Sequence, residues 1–515
     1  MDTKALRQKI LDLAIRGKLV PQDPNDEPAE VLLERIREQK QQMFKEGKLK
    51  KKDIKNDTII FKGEDNLHYE KFADGTVKCM EDEIPFEVPE GWAWCKLNDI
   101  YNFIDYRGAT PTKITNGIPL VTAKNVKSGY IDYTIDDYIS EEEFKERQQR
   151  GISKKGDILF TTEAPLGNAA LADMEKFSAG QRLITFQQYG SKNELINYVM
   201  LMFILSDFFQ QQLYVNKTGS TVAGIKAAIL KTLWIPVPPY NEQLRISNTL
   251  KSAINLIDSI SKNKEILSTS ISNTKSKILD LAIRGKIVPQ DPNDEPASVL
   301  LERIRAEKEE LIKQGKIKRD KKESVIFKGD DNSYYGIHLP DSWNWASLRE
   351  IALSISDGSH NPPPNNGSGI PLLSAANIND NSILMNEISR WITNEEWKIE
   401  NQRTNIEVGD VLLTIVGSIG RSAVVQNNNH FALQRSVAVI KPCLINPLYL
   451  MHIVQSPQIQ KWLTDNSKGT AQKGIYLNAL SLMIIPIPPL AEQARIVEHI
   501  HIAYKHLDLI SNALL

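Results

Sequence analysis

The chain has 515 residues, too many for one compact domain, so two to four domains are expected. Its 41% hydrophobic and 25% charged residues, with 27 Gly and 25 Pro, exclude collagen-like and wholly disordered chains, and no apolar run approaches the roughly 20 residues of a membrane span. The net charge of −1 lacks the basic excess of many free-standing nucleic-acid binders, so any claim of DNA binding has to come from local features.

The first 18 residues, MDTKALRQKILDLAIRGK, spread their charges and hold no apolar core, so no secretion signal is visible. Cys79, Cys95 and Cys443 are scattered and build neither a disulfide framework nor a C-x-x-C zinc site. A cytoplasmic location and no membrane partner are expected.

The chain is built on an internal repeat. Residues 9–37, KILDLAIRGKLVPQDPNDEPAEVLLERIR, return at 277–305 with 27 of 29 positions identical. IPVPPYNEQLRI (235–246) returns as IPIPPLAEQARI (485–496). Weaker echoes lie between: GWAWCKL (91–97) and SWNWASL (342–348), GIPLVTAKNV (117–126) and GIPLLSAANI (369–378), GDILFTTEAPLG (156–167) and GDVLLTIVGSIG (409–420). Gln181-Arg182 answers Gln434-Arg435, and KTGSTVAGI (217–225) answers SKGTAQKGI (467–475). Near-identical copies imply one job done twice, or a recent duplication. Diverged copies on a shared skeleton imply one fold presenting two surfaces. The repeat is also cyclically shifted, since 487–515 pairs with 237–265 and 1–17 with 269–285. The simplest geometry is a pseudo-twofold object whose termini meet.

In chain order, a short helix is expected at the N-terminus, then the Pro/Asp turn VPQDPNDEPA, then a helix opening at Ala29 with Pro28 at its first position and Gly47 near its end. Basic stretches close both copies of this unit, KLKKKDIK (48–55) and KIKRDKK (316–322), and suit solvated faces or phosphate and partner contact. Residues 84–235 and 336–485 carry short β-like runs such as GDILFTT, LITFQQ, GDVLLTIV and SVAVIKP. Each then holds a helix (NELINYVMLMFILSDFFQQQL; NPLYLMHIVQSPQIQKWL), a polar Gly/Thr/Lys loop and an Ile-Pro-x-Pro-Pro exit. The paired Trp of each W-x-W segment suit core or lid positions. Between the modules, Ile246, Leu250, Ala253, Ile257, Ile260, Leu267, Ile271, Ile278 and Leu281 form a 4–3 apolar seam, interrupted by Lys264 and Thr274 and stopped by Gly285. This predicts a helix of about 40 residues, roughly 60 Å long. Ile496, Ile500, Ala503, Leu507, Ile510 and Leu514, followed by Thr3, Leu6, Ile10 and Leu13, repeat the seam. An antiparallel partner assembled from both chain ends is therefore expected; two unrelated surface helices are the plainer alternative.

Catalytic motifs are not evident. GSTVAGIK (219–226) has P-loop glycine spacing but Ile225 where Lys is needed. Asn361-Pro362-Pro363-Pro364 lacks the aromatic residue with which amino-methyltransferases stack on a flipped base. His499 and His506 share a helix face without Cys or carboxylate partners and suit a surface role.

The duplicated KILDLAIRGK…VPQDPNDEPA…VLLERIR, the doubled Ile-Pro-x-Pro-Pro…Glu-Gln…Arg-Ile and the two dissimilar modules resemble the specificity (S) subunit of type I restriction–modification systems over nearly the whole chain. The resemblance implies an α+β fold: two target-recognition domains with small β-sheet cores, related by pseudo-twofold symmetry and separated by an antiparallel coiled coil of two long helices. Residues 1–83 would be an N-terminal conserved helical region, 84–235 the first target-recognition domain, 236–335 a central helical spacer, 336–485 the second target-recognition domain and 486–515 a C-terminal helix pairing with the central one. It further implies a non-catalytic subunit that reads a bipartite asymmetric site in double-stranded DNA, docks two modification (methyltransferase) subunits and works with restriction (translocase/endonuclease) subunits. S-adenosylmethionine and ATP would then belong to those partners.

Base reading in the major groove needs donors and acceptors on loops. In the first module the expected contacts are Arg107, Thr110, Lys113, Lys124, Arg182, Lys217, Thr218, Ser220 and Thr221; in the second, Ser359, His360, Asn377, Arg421, Arg435, Lys468, Thr470, Gln472 and Lys473. The two arginines could equally be buried in structural pairs. The open alternatives are a stand-alone two-headed DNA-binding regulator, a methyltransferase or nuclease with unrecognised motifs, and a structural coiled-coil adaptor.

Overall fold

The computed structural model describes residues 2–54, 57–72, 74–106, 110–190, 194–219, 223–319, 333–469 and 473–514. The chain divides into two compact units, Met1–Asn263 and Lys264–Leu515.

In the first unit, α1 (Thr3–Ile15) starts at Asp2, whose carboxylate accepts from the N–H groups of Lys4 and Ala5. It stops at Gly17, at φ +65°, where any Cβ would fall 2.3 Å from Pro89. α2 (Ala29–Lys45) follows, with Pro28 as its N-cap (ψ 143°) instead of its expected first helical residue. The Ala29 N–H is taken by the Gly91 carbonyl at 2.8 Å, which fixes the entry. Within the helical region expected over residues 1–83, β1 (Ile59–Lys62), β2 (His68–Lys71) and β3 (Val77–Cys79) form an antiparallel meander. Ile59, Ile60 and Phe61 favour a strand, and Asn66 at φ +65° turns it back.

The module itself opens on β4 (Ala93–Lys96) and β5 (Tyr101–Asp105). Then come β6 (Ile118–Val121), β7 (Tyr138–Ile139), β8 (Ile158–Thr161), β9 (Ala169–Leu171), β10 (Ser178–Ala179), β11 (Leu183–Gln188) and β12 (Trp234–Val237). A four-stranded antiparallel sheet runs β5-β11-β8-β9, and a smaller one runs β10-β6-β7 with β10 parallel to β6. β12 closes on β4, pairing Ile235 with Cys95. Period-2 alternation sends β8 and β11 into two cores at once. Ile158, Phe160, Ile184 and Phe186 join the larger core, while Leu159 and Leu183 join a smaller one on the other face. The helix expected from NELINYVMLMFILSDFFQQQL is two, α3 (Asn197–Ile204) and α4 (Asp207–Val215). Ser206 breaks it, because its hydroxyl caps α4 by accepting from Phe209 N–H.

α5 (Tyr240–Ile283) has 44 residues, about 66 Å at helical rise, and begins in the first unit. Ile246, Leu250 and Ile257 of the expected seam are buried, as is Ile271. Leu267 is instead 40% exposed, and near the end burial shifts to Leu279, Ala282 and Ile283. Gln22 donates to Glu242 at 3.1 Å and Arg7 pairs with Asp258, so α1 and its exit run antiparallel to α5.

The second unit repeats the plan. After α6 (Ala297–Lys313) come β13 (Asn344–Ser347), β14 (Ala352–Asp357), β15 (Ile370–Leu373), β16 (Trp391–Ile392), β17 (Val411–Thr414), β18 (Ser422–Val424), β19 (Ala432–Leu433), β20 (Val437–Pro442) and β21 (Ile484–Ile487). The sheets run β14-β20-β17-β18 and β16-β15-β19, again with one parallel pair, and β13 pairs β21. Val411, Leu413, Ala438 and Ile440 face one core; Leu412, Val437 and Val439 face the other. The expected helix over 446–463 again splits, into α7 (Pro447–Val454) and α8 (Pro457–Asp465), because Pro457 has no N–H to continue the ladder. α9 (Leu490–Leu514) pairs antiparallel with the end of α5 through Lys275–Asp508 and Gln290–Glu492. His499 and His506 are exposed on it.

Each module is bolted to its helix in the same way. Trp92 Nε1 donates to Glu242 at 2.9 Å, and Trp343 Nε1 donates to Glu492 at 2.9 Å. Burial pushes both carboxyls up, while the Trp and Gln donors hold them back. Arg245–Asp26 and Arg495–Asp294 clamp the Pro/Asp turns onto the same helices at 2.6 and 2.5 Å. The W-x-W tryptophans are thus core residues, all under 9% exposed.

Candidate nucleic-acid interface

In the first module, β8 and β11 run antiparallel with Leu183 opposite Thr161. Their shared end gathers a rim. The Thr162 N–H donates to the Arg182 carbonyl, and the Ile225 N–H donates to the Thr162 carbonyl. The loop from Lys217 closes on itself where Thr218 and Gly224 exchange backbone hydrogen bonds of 2.7 and 3.0 Å, and Gly219 turns it at φ +90°. Gly224 also bridges Glu163. From the other side, the Gly180 N–H donates to Val121, which brings the 122–125 loop alongside, and Thr110 Oγ1 donates to Gln181 Oε1 at 2.8 Å. Thr110, Lys124, Arg182, Lys217 and Thr218 therefore share one exposed rim. Arg182 is exposed and pairs with Glu163, its Nε 3.2 Å from Oε1, so the buried structural alternative does not hold for it. Lys113 sits at the β7 edge, 2.7 Å from Asp137, away from the edge that β10 contributes.

The second module builds the corresponding rim. Ile475 N–H donates to the Ile415 carbonyl, Lys468 and Gly474 exchange backbone bonds, and Gly474 bridges Val416. Lys468, Lys473, Arg421 and Arg435 are exposed there. Among the described residues Arg435 makes no ion pair. His360 is exposed and hydrogen-bonded to Asp357 at 2.8 Å, and Arg403 also holds that carboxylate. Two expected contacts point inward. Ser359 is 6% exposed, because its backbone is tied to Leu433 and Arg435. Asn377 is 3% exposed, its amide accepting from Ser374 N–H and donating to the Glu387 carbonyl. Asn125 does the same in the first module. Both asparagines organise their loops from within. Arg107, Ser220, Thr221, Thr470 and Gln472 lie outside the described residues.

The strand registers correct one equivalence read from sequence. Leu183 lies opposite Thr161 and Val437 opposite Thr414; Thr162 receives the Arg182 carbonyl and Ile415 the Ser436 carbonyl. Arg182 thus occupies the place of Ser436, and Gln181 that of Arg435. The two Gln-Arg pairs are out of step by one residue. The strands before them, Ala169–Leu171 and Ser422–Val424, pair in step, so the extra residue lies in the loop 425–431, against 172–177.

A cleft of about 1230 Å³ opens between α2 and Lys154–Asp157 with Gln187 and Gln188, at the opposite end of the same strands. There burial pushes the Asp157 carboxyl up to about 6. No group of three or more His, Cys, Asp or Glu able to hold a metal occurs among the described residues, and no helix there is long and apolar enough to cross a membrane.

The model of the type I restriction modification DNA specificity domain matches twice, at residues 89–268 and 340–514. The chain belongs to this family of type I specificity subunits. The EcoEI specificity subunit of Escherichia coli is 28% identical over 99% of this chain and 90% of its own length. The EcoAI specificity subunit of Escherichia coli is 30% identical over 73% and 67%. A chain solved in work on complex assembly and conformational transition of the type I R-M system superposes with a TM-score of 0.55 at 18% identity. It covers 84% of this chain and 94% of its own length, a likeness of fold. Each specificity domain carries one of the two rims. These comparisons lend no support to a stand-alone two-headed regulator.

One rim residue escaped the sequence reading. Glu163 stands where the aligned GDILFTTEAPLG and GDVLLTIVGSIG differ most in charge, opposite Val416. That contrast was visible in the repeat, but its meaning depends on Arg182 lying beside it.

Proposed function

We propose that this specificity subunit lends sequence choice, without chemistry of its own, to a type I restriction–modification assembly. Each module reads one half of a bipartite, asymmetric DNA site in the major groove. α5 sets the separation at which two half-sites can be read together. The near-identical helical segments receive two modification subunits, and restriction subunits join that core. S-adenosylmethionine and ATP are held by those partners. The observation that carries the reading is one scaffold built twice with two chemically different rims. Shared strands, caps and Trp–Glu bolts keep the geometry, while exposed Lys, Arg and Thr differ from rim to rim, as base reading requires.

The test is methylation mapping of the source genome with and without this chain, and with residues 84–235 exchanged for another module. Loss of the chain removes methylation at a bipartite motif, and the exchange rewrites one half of that motif only. Methylation unchanged by deletion, or both halves rewritten, overturns the reading.

A further inference from the structure

The two rims differ most sharply at one place. In the first module Arg182 lies beside Glu163; at the equivalent positions the second module has Ser436 and Val416. Both charges of the first module are about half exposed, 51% for Arg182 and 44% for Glu163. An ion pair so open to water adds little to stability. The strap that holds this end of the sheet is backbone in both modules, through Gly224 in one and Gly474 in the other, and the second module makes it with no ion pair at this place. The pair is therefore not what holds the loop.

Its geometry fits another role. Glu163 Oε1 stands 3.2 Å from Nε of Arg182 as an ion pair, and among the described residues Nη1 and Nη2 make no hydrogen bond. A guanidinium held along its Nε side presents its end, two parallel N–H donors in one plane. Guanine O6 and N7 in the major groove accept such a pair. The carboxylate also selects against the commoner use of arginine. A phosphate brought to Arg182 would meet Glu163 as a second anion, whereas a base edge carries no net charge.

We propose that Glu163 is a positioning residue that aims Arg182 at a guanine of the first half-site, and that the second module reads the equivalent place without charge. This rests on the functional reading above.

The test uses the full chain with its modification subunits, selecting from a randomised DNA duplex that is then sequenced. The wild type returns a bipartite motif with guanine at one position of the first half-site. R182S lowers the preference for that guanine about tenfold or more, and leaves the second half-site unchanged. E163V weakens the same preference and steepens the salt dependence of binding by about one phosphate contact, since the freed arginine now meets phosphate. E163Q, which keeps an acceptor oxygen beside Nε, retains the preference. An intact second half-site in the same sequences reports that each variant folds. If R182S and E163V return the wild-type motif, or alter the second half-site instead, this inference fails while the functional reading stands. An E163V that selects neither half-site also overturns it, because the residue then serves the fold. A wild type that returns no bipartite motif overturns the functional reading itself.

Discussion

The two units keep their anchors and change their rims, and their interiors have also drifted where no DNA contact is at stake. Trp92–Glu242 and Trp343–Glu492 have the same geometry to within 0.1 Å, both at 2.9 Å. Two turns into the following helices the chemistry parts: Met202 on α3 stands where α7 has His452. Both side chains are under 9% exposed. A buried methionine is indifferent to pH. Burial holds the His452 imidazole down to about 4, against the opposing effect of the Gln455 side chain beside it. Geometry that carries a module is retained, whereas a core position needs only a comparable volume.

The largest expected effect tests the shared anchors. W92A and W343A should each cost about 3–5 kcal/mol, because each opens a cavity and leaves a buried carboxylate short of its donor. Denaturant unfolding of the two variants measures this. Equal losses support one anchor used twice, and a difference above about 2 kcal/mol breaks the equivalence.

The next effect should separate the units by acidity. His452 has a folded pKa near 4, below its ordinary 6.5. Above pH 6.5 it is neutral in both states. As pH falls toward 4 the unfolded chain binds a proton that the folded one refuses, so stability is lost, on the order of 3 kcal/mol in all. Two buried carboxyls of the first unit carry the opposite sign. Burial raises Asp99 and Asp157 to about 6, from 3.8. Between pH 6 and 4 the folded state there takes up protons first and gains stability. Hydrogen exchange followed by peptide should show the second unit losing protection and the first gaining it. H452M should abolish the loss in the second unit. A variant that still loses protection would place the acid sensitivity elsewhere.

The smallest effect concerns the inward-facing asparagines. N125A and N377A should each cost about 1–3 kcal/mol, since each leaves loop backbone groups unpaired. Thermal unfolding checks this. A variant of unchanged stability but altered half-site preference would return Asn377 to the rim.

Much of the architecture was legible in the sequence because duplication made it so. The repeat marked the long helix, the strands and the polar loops, and period-2 runs such as GDILFTT gave their strands directly. What stayed hidden depends on tertiary neighbours. The meander at 59–79 lies in a charged stretch whose only echo, IIFKGEDNLHY (59–69) against VIFKGDDNSYY (325–335), is too short to mark three strands. Ser206 is an ordinary helix residue until its hydroxyl finds the Phe209 N–H. Asn377 carries the chemistry of a base reader, yet Glu387 and Ser374 occupy it. Glu163 gains significance only from a partner 19 positions away, Arg182.

The extra residue between β18 and β19 reaches further than its own loop. It leaves every ladder of the sheet intact, yet it advances the following side chains by one place, so an arginine stands where its counterpart has a glutamine and a serine where its counterpart has an arginine. A one-residue difference in an outer connection thereby changes two neighbouring rim positions together. New specificities can arise in such a scaffold from changes in length as readily as from changes in letter.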